Sequence, residues 1–234
     1  MARRPVFVPD STHLVEEVEL HFEWFPGFAA VQKQKSIRSL HASAKQSLGP
    51  SVSLLEVSSK SEQQLGSQLS AFNLRVEHFK HGSILLEAAF QGSKVFAGSG
   101  QHEDLYRIPD GREVKKRIRE LARGQLECFR YEHHEWQLVP QTAFYDWLYL
   151  SAVRAAVQDA PDGLDELLAC DAFTDIEFNP DKSINCQARS CALLVSLHRM
   201  GETAAVDDPD RFIQLLTSYG YGVPPAEYEP GSLF

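Results

Sequence analysis

Glu87-Ala88-Ala89-Phe90-Gln91-Gly92-Ser93-Lys94, entered from the apolar run Ile84, Leu85 and Leu86, is the stretch on which the reading of this chain turns. It reads as a helix. At about 100° per residue, Glu87, Gln91 and Lys94 fall within roughly 60° of one another, and the rise between Glu87 and Lys94 is about 10 Å. One face then carries a carboxylate, an amide and an ammonium beside the ring of Phe90, a row able to grip and attack a sugar-sized ligand. Glu and Lys seven apart also suit a solvated face. Gly92 weighs against that, because glycine costs about 1 kcal/mol relative to alanine inside a helix. Together with Ala88, Ala89 and Ser93 it allows close approach by another element or a ligand.

Outward from this stretch, helices dominate. Residues 29–46 are read as helical, with Val31, Ile37, Leu40 and Ala44 inward and Lys33, Lys35 and Arg38 on the same segment. Residues 112–123 form an amphipathic helix: Val114, Ile118, Leu121 and Ala122 recur at helical spacing, and Lys115, Lys116, Arg117, Arg119 and Arg123 make a cationic outer face. Further helices are expected over 142–158 (rich in Phe144, Tyr145, Trp147 and Tyr149), 164–169, 190–199 and 207–219. Strands are expected at Val6–Val8, Val18–Phe25, 53–58, 75–79, twice within 127–138, and at 173–178. They are short and scattered, so the expected class is mainly α with a few short strands. The organisation expected is one domain over 22–222, preceded by an N-terminal extension (1–21) and followed by a loose Pro/Gly-rich tail (223–234).

Composition excludes several functions. A chain of 234 residues with 43% hydrophobic content can bury a full core. No run approaches the 18 or more apolar residues of a membrane span, and the N-terminus lacks the apolar region of a secretory signal. The net charge of −9 argues against broad nucleic-acid binding while leaving room for a local basic strip. Four cysteines without a CxxC pair suggest free thiols in a reducing cytoplasm. His133-His134 lacks the spacing of a helical zinc site, and glycine-rich nucleotide loops and the GxSxG elbow are absent. No metal or redox cofactor is called for.

Two adjacent features carry a resemblance. Leu69-Ser70-Ala71-Phe72 followed by Glu87-Ala-Ala-Phe90-Gln91-Gly-Ser-Lys94 resembles the LSNF-type loop and EHYFQAQKF-type helix of the NADAR family of YbiA-like N-glycosidases. The match lies at Leu69, Ser70, Phe72, Glu87, Phe90, Gln91 and Lys94, and Asn185 fits the family's C-terminal pattern. Trp24-Phe-Pro-Gly-Phe28, Gln32-Lys-Gln-Lys-Ser36, Ser58-Ser-Lys-Ser61, Phe144-Tyr-Asp-Trp147 and Phe173-Thr-Asp-Ile-Glu-Phe-Asn-Pro180 are similar to one branch, the antitoxins paired with DarT-type DNA ADP-ribosyltransferase toxins. The chain departs from the family at Ala71, at Ala88-Ala89 and in lacking the Trp-Gly near the C-terminal Asp. The resemblance implies an α-helical fold with few or no core strands. It also implies N-glycosidase chemistry that removes ADP-ribose from the guanine amino group in DNA.

Such a bond breaks as positive charge builds on the anomeric carbon. A carboxylate can stabilise that charge and move protons, and a neutral lysine can attack the carbon and form a Schiff base with the opened sugar. Glu87 and Lys94 are therefore the expected catalytic pair. Gln91, Lys60, Ser70, Phe72, Asp146, Trp147, Asp175 and Asn185 are the expected ligand contacts. Lys33, Lys35, Lys115, Lys116 and Arg119 are the expected DNA contacts. The partners implied are ADP-ribosylated guanine in DNA, ADP-ribose and a DarT-type toxin, with no membrane. Two other readings stand beside this one: a small-molecule N-glycosidase of riboflavin-type intermediates, and a non-catalytic protein that neutralises a toxin by contact.

Overall fold

Residues 2–22 fold back on themselves as a long antiparallel hairpin, which the scattered hydrophobics of the N-terminus only hint at. In β1 (Ala2–Asp10) and β2 (Leu14–Phe22) the register runs from Ala2 opposite Phe22 to Asp10 opposite Leu14. Asp10 closes the turn by accepting the backbone N–H groups of Thr12 and His13. The computed structural model describes residues 1–158 and 162–222; the expected tail at 223–234 lies outside the described residues.

The chain then runs through α1 (Ala30–Leu48), β3 (Leu54–Glu56) and α2 (Gln64–Gln68), and on to β4 (Arg75–His78), β5 (Gly82–Leu85) and α3 (Leu86–Gly92). Next come β6 (Lys94–Phe96), β7 (Gly100–Gln101), a 3₁₀ turn at Glu103–Arg107, α4 (Gly111–Leu121), β8 (Leu126–Tyr131) and β9 (His134–Trp136). The last elements are α5 (Ala143–Gln158), α6 (Gly163–Leu168), β10 (Ala172–Thr174), α7 (Gln187–Arg199), a 3₁₀ turn at Thr203–Asp207, and α8 (Pro209–Ser218).

These elements form two units. The first comprises Met1–Ser70 and Arg154–Thr203, the second Ala71–Val153 and the segment from Ala204. Residues 1–21 contribute β1 and most of β2 to the first.

The first unit is built on a four-stranded sheet in the order β2-β1-β10-β3, with β10 antiparallel to β1 and parallel to β3. The helical spacing of Ile37, Leu40 and Ala44 gives α1 an apolar stripe that packs on Val6, Phe22, Leu54, Ala172 and Ile176. Gly49, at φ +118°, ends α1 where a side chain would be strained. Every residue of α7 from Ser190 to Leu197 is buried, as expected for a helix enclosed by its domain.

The second unit holds the β4-β5 hairpin, a four-stranded sheet in the order β7-β6-β8-β9, and α3, α4 and α8. Its centre is aromatic. Phe90 lies 5.5 Å from Phe129, 6.1 Å from Phe144 and 5.2 Å from Tyr145, and Trp136 lies 5.1 Å from Trp147. All four cysteines are buried. No described helix is long and apolar enough to cross a membrane.

The expectation of a mainly α fold is corrected here. The structure is 44% helix and 21% strand, with three sheets, a mixed α/β arrangement. Short strands gain their stability by pairing with segments distant in sequence, so each looks negligible alone. In β1 and β2, Arg3, Glu16, Glu17 and Glu19 interrupt the apolar alternation and conceal nine-residue strands.

Candidate active site

The helix α3 follows β5 without a loop and is buried on all sides, Leu86 to Gly92. Burial explains its small residues. A Cβ on Gly92 would stand 2.5 Å from Cε1 of Tyr106, so the close approach expected from the sequence is made by that ring. Ala88 packs with Leu85 and Val114.

The helix is shorter than its sequence suggests. It ends at Gly92, and Lys94 opens β6 opposite Phe129. The cause is tertiary. The Ser93 hydroxyl donates to the Ala89 carbonyl at 2.7 Å, and the Ser93 carbonyl accepts the N–H of Arg130 from β8 at 2.7 Å. Expecting Glu87, Gln91 and Lys94 on one helix is therefore corrected: two are helical and Lys94 is the first residue of a strand.

Glu87 is 5% exposed and Gln91 8%. The Gln91 amide donates to Oε1 of Glu87 at 2.9 Å. The ammonium of Lys94 stands 5.0 Å from the centre of the Phe90 ring, and among the described residues no hydrogen bond or ion pair reaches it. Burial pulls the Lys94 ammonium from 10.5 down to about 8; the Glu87 carboxylate opposes this and the Lys115 charge adds to it.

Lys115 is the residue that sequence reasoning placed elsewhere. Expected as a DNA contact, it sits with Nζ 3.3 Å from Oε2 of Glu87 and 4.8 Å from the centre of the Phe72 ring. Asp110 caps α4 by accepting the N–H groups of Arg112 and Glu113. Gly111 then lets the helix start against Phe72 and Glu87, where a Cβ would come within 2.9 Å and 3.4 Å of them. Lys115 follows one turn later on the same face. Lys116 and Arg119 are exposed, as the amphipathic pattern predicts.

Two other expected contacts of the second unit have structural partners. Asp146 is buried and accepts from the Thr142 hydroxyl at 2.6 Å and from Tyr221 at 3.4 Å. The Trp147 indole donates to the Val206 carbonyl at 2.9 Å. Phe72 remains at the surface edge, 36% exposed.

In the first unit, the parallel strands β3 and β10 end side by side, and the expected contacts Lys60 and Asp175 follow them. Lys60 donates to the Ser59 hydroxyl at 3.0 Å, and Ser59 donates to Glu177 at 3.2 Å. Asp175 is buried, accepting the N–H groups of Glu177 and Phe178 at 2.9 and 3.1 Å; burial raises its carboxyl. Ser70 is fully buried, and among the described residues neither its hydroxyl nor the buried amide oxygen of Asn185 has a hydrogen-bond partner. Both are polar atoms that a ligand could satisfy. Lys33 stands 4.7 Å from the Trp24 ring centre and Lys35 5.9 Å from that of Phe25.

Sequence reasoning did not single out Glu56. Its Oε2 accepts from the Thr174 hydroxyl at 2.6 Å and its Oε1 from the N–H of Ile176 at 2.9 Å, tying β3 to the end of β10. Burial and then the Asp175 charge push its carboxyl up. A carboxylate closing an apolar strand was the available signal. Nε2 of His41 lies 2.8 Å from the same Thr174 hydroxyl, and burial drops His41 to about 4. His41 and Glu56 border a cavity of about 370 Å³ lined also by Arg38, Lys45, Ser61 and Glu62; none of the expected ligand contacts lines it.

The family model described as the DarT1-associated NADAR antitoxin matches residues 2–222, nearly the whole chain, and the chain belongs to that family. No curated protein matches it.

Proposed function

We propose that this member of the DarT1-associated NADAR antitoxins is an N-glycosidase that removes ADP-ribose from guanine bases in DNA, with Lys94 as nucleophile and Glu87 as charge stabiliser and proton carrier. The observation that carries the reading is the Lys94 amine, desolvated over Phe90 and free of any ion pair among the described residues, beside a Glu87 held by Gln91. A lysine at 10.5 is neutral in only about 0.03% of molecules at pH 7, whereas one near 8 is neutral in about a tenth, a gain of roughly 300-fold.

In the proposed reaction the ribose ring opens as its oxygen leaves the anomeric carbon and takes the proton of the guanine amino nitrogen, which is left as an imine to that carbon. The neutral Lys94 amine adds to the carbon, and guanine departs as its free amine with the two protons that the lysine nitrogen gives up, relayed by Glu87. The resulting Schiff base on Lys94 takes up water, which releases ADP-ribose as its aldehyde and restores the lysine. Glu87, buried and already hydrogen-bonded, needs little reorganisation to face the positive charge that develops. Phe72 and Gln91, in the unit that holds Lys94, are assigned to ADP-ribose contact, and Lys116 and Arg119 of the same unit to DNA phosphates. Asp146 and Trp147 are assigned to shaping the site, since each is engaged by the protein itself.

The test is incubation with DNA carrying ADP-ribosylated guanine. Catalytic release of free ADP-ribose, lost in Lys94→Ala and lowered about 10²- to 10⁴-fold in Glu87→Gln, is the expected result. Borohydride should trap sugar on Lys94. Stoichiometric protection without release would favour neutralisation by contact, and activity confined to free nucleotides would point to the small-molecule glycosidase. A fully active Lys94→Ala protein would remove the assigned nucleophile.

A further inference from the structure

Two ammonium groups flank the Glu87 carboxylate, yet only one is paired with it. Lys115 holds Oε2 at 3.3 Å, Gln91 holds Oε1 at 2.9 Å, and Lys94 is left over the Phe90 ring. Both carboxylate oxygens are thus committed to groups other than Lys94. The commitment is built into the backbone: Gly111 seats the start of α4 against Glu87 and Phe72, and the Phe72 ring supports the Lys115 ammonium from one side at 4.8 Å. Lys115 differs from the neighbouring lysine in this respect, since Lys116 is exposed on the outer face of the same helix.

We propose that Lys115 is a positioning residue: by holding the Glu87 carboxylate it prevents an ion pair between Glu87 and Lys94 and leaves the Lys94 amine free to act. The role matters for catalysis only if the nucleophile proposed above is right, but the arrangement itself can be read without turnover. Among the described residues, the charged groups that act on Lys94 are Glu87 from α3 and Lys115 from α4; its strand neighbour on β8 is the uncharged Phe129. Neutralising Lys115 acts twice in one direction. It removes a like charge near Lys94, and it releases a buried carboxylate whose charge already acts on Lys94.

The experiment is trace acetylation of the full chain across pH 6–11, with the extent at Lys94 read by mass spectrometry. Wild-type Lys94 should titrate near 8. In Lys115→Met the midpoint should move alkaline by about one unit or more, while Lys115→Arg should keep it within a few tenths. Lys115→Gln serves as a second neutral variant suited to a side chain 41% exposed, and wild-type circular dichroism is the folding control. In a Glu87→Gln background the effect of Lys115→Met should shrink, because only direct repulsion between the two ammonium groups is left. An unmoved Lys94 midpoint in folded Lys115→Met and Lys115→Gln would overturn the proposal, as would an undiminished effect in the Glu87→Gln background. If the midpoint moves as expected but Lys94→Ala retains turnover, the positioning stands and the assigned nucleophile fails. If Lys94→Ala is dead and the midpoint stays put, the reverse holds.

Discussion

Replacing Lys94 with Met should stabilise this protein at neutral pH while removing its amine. Lys94 drops from 10.5 in the unfolded chain to about 8 in the fold, so the folded state gives up protons the unfolded state keeps. At 1.36 kcal/mol per pH unit, that gap penalises the fold by about 3 kcal/mol at pH 7. Lys94 is only partly buried, and solvent screening brings the expectation to about 2 kcal/mol. The sign follows from linkage. For a base lowered by folding, the penalty is full below the folded value and fades as pH rises from about 8 through 10.5. Methionine keeps most of the aliphatic length beside Phe90 and carries no charge. The advantage of Lys94→Met should therefore be about 2 kcal/mol at pH 7 and about 0.5 kcal/mol by pH 10. Urea unfolding followed by tryptophan fluorescence measures it, since Trp136 and Trp147 belong to the same unit as Lys94. A variant no more stable than wild type at pH 7 would refute the reasoning. A gain that is equally large at pH 10 would refute it too, because it would then come from apolar packing and not from a desolvated charge.

Gly92→Ala should destabilise by about 1–3 kcal/mol through overpacking against Tyr106; calorimetric unfolding measures it, and an unchanged midpoint would mean the Tyr106 ring yields freely. Glu56→Gln should flatten the alkaline loss of stability. Glu56 is raised in the fold, so its contribution is present below the ordinary carboxylate range and is lost as pH rises through the raised value. The melting temperature of wild type should fall more between pH 5 and pH 9 than that of Glu56→Gln, and parallel falls would count against a buried, raised carboxyl.

Local pattern was a good guide wherever a helix is long and has one apolar face. On α1 Ile37, Leu40 and Ala44 are buried as expected while Val31, expected inward, is 60% exposed, and on α4 Val114 and Ile118 are buried with Lys116 and Arg119 outside. Among strands it located β3, β4, β8 and β9 and overlapped β1, β2 and β10, but it missed β5, β6 and β7. β5 lies inside a run that reads as an apolar lead into a helix, and β6 and β7 each span three residues or fewer. Nothing in Lys94-Val95-Phe96 by itself distinguishes the last turn of a helix from the start of a strand. The N–H of Arg130, offered to the Ser93 carbonyl, makes that choice.

The order of residues alone therefore determined the family, the acid, amide and amine of the candidate site, and the small residues that let a neighbour close on α3. Periodicity and side-chain chemistry are local properties and survive in a linear string. Tertiary structure decided the mixed α/β class, moved Lys94 from helix to strand, and turned Lys115 from an expected phosphate contact into the partner of Glu87. Those outcomes depend on hydrogen-bond and ion-pair partners supplied by distant segments, and on the exclusion of water around them. Neither exists until the chain has closed on itself.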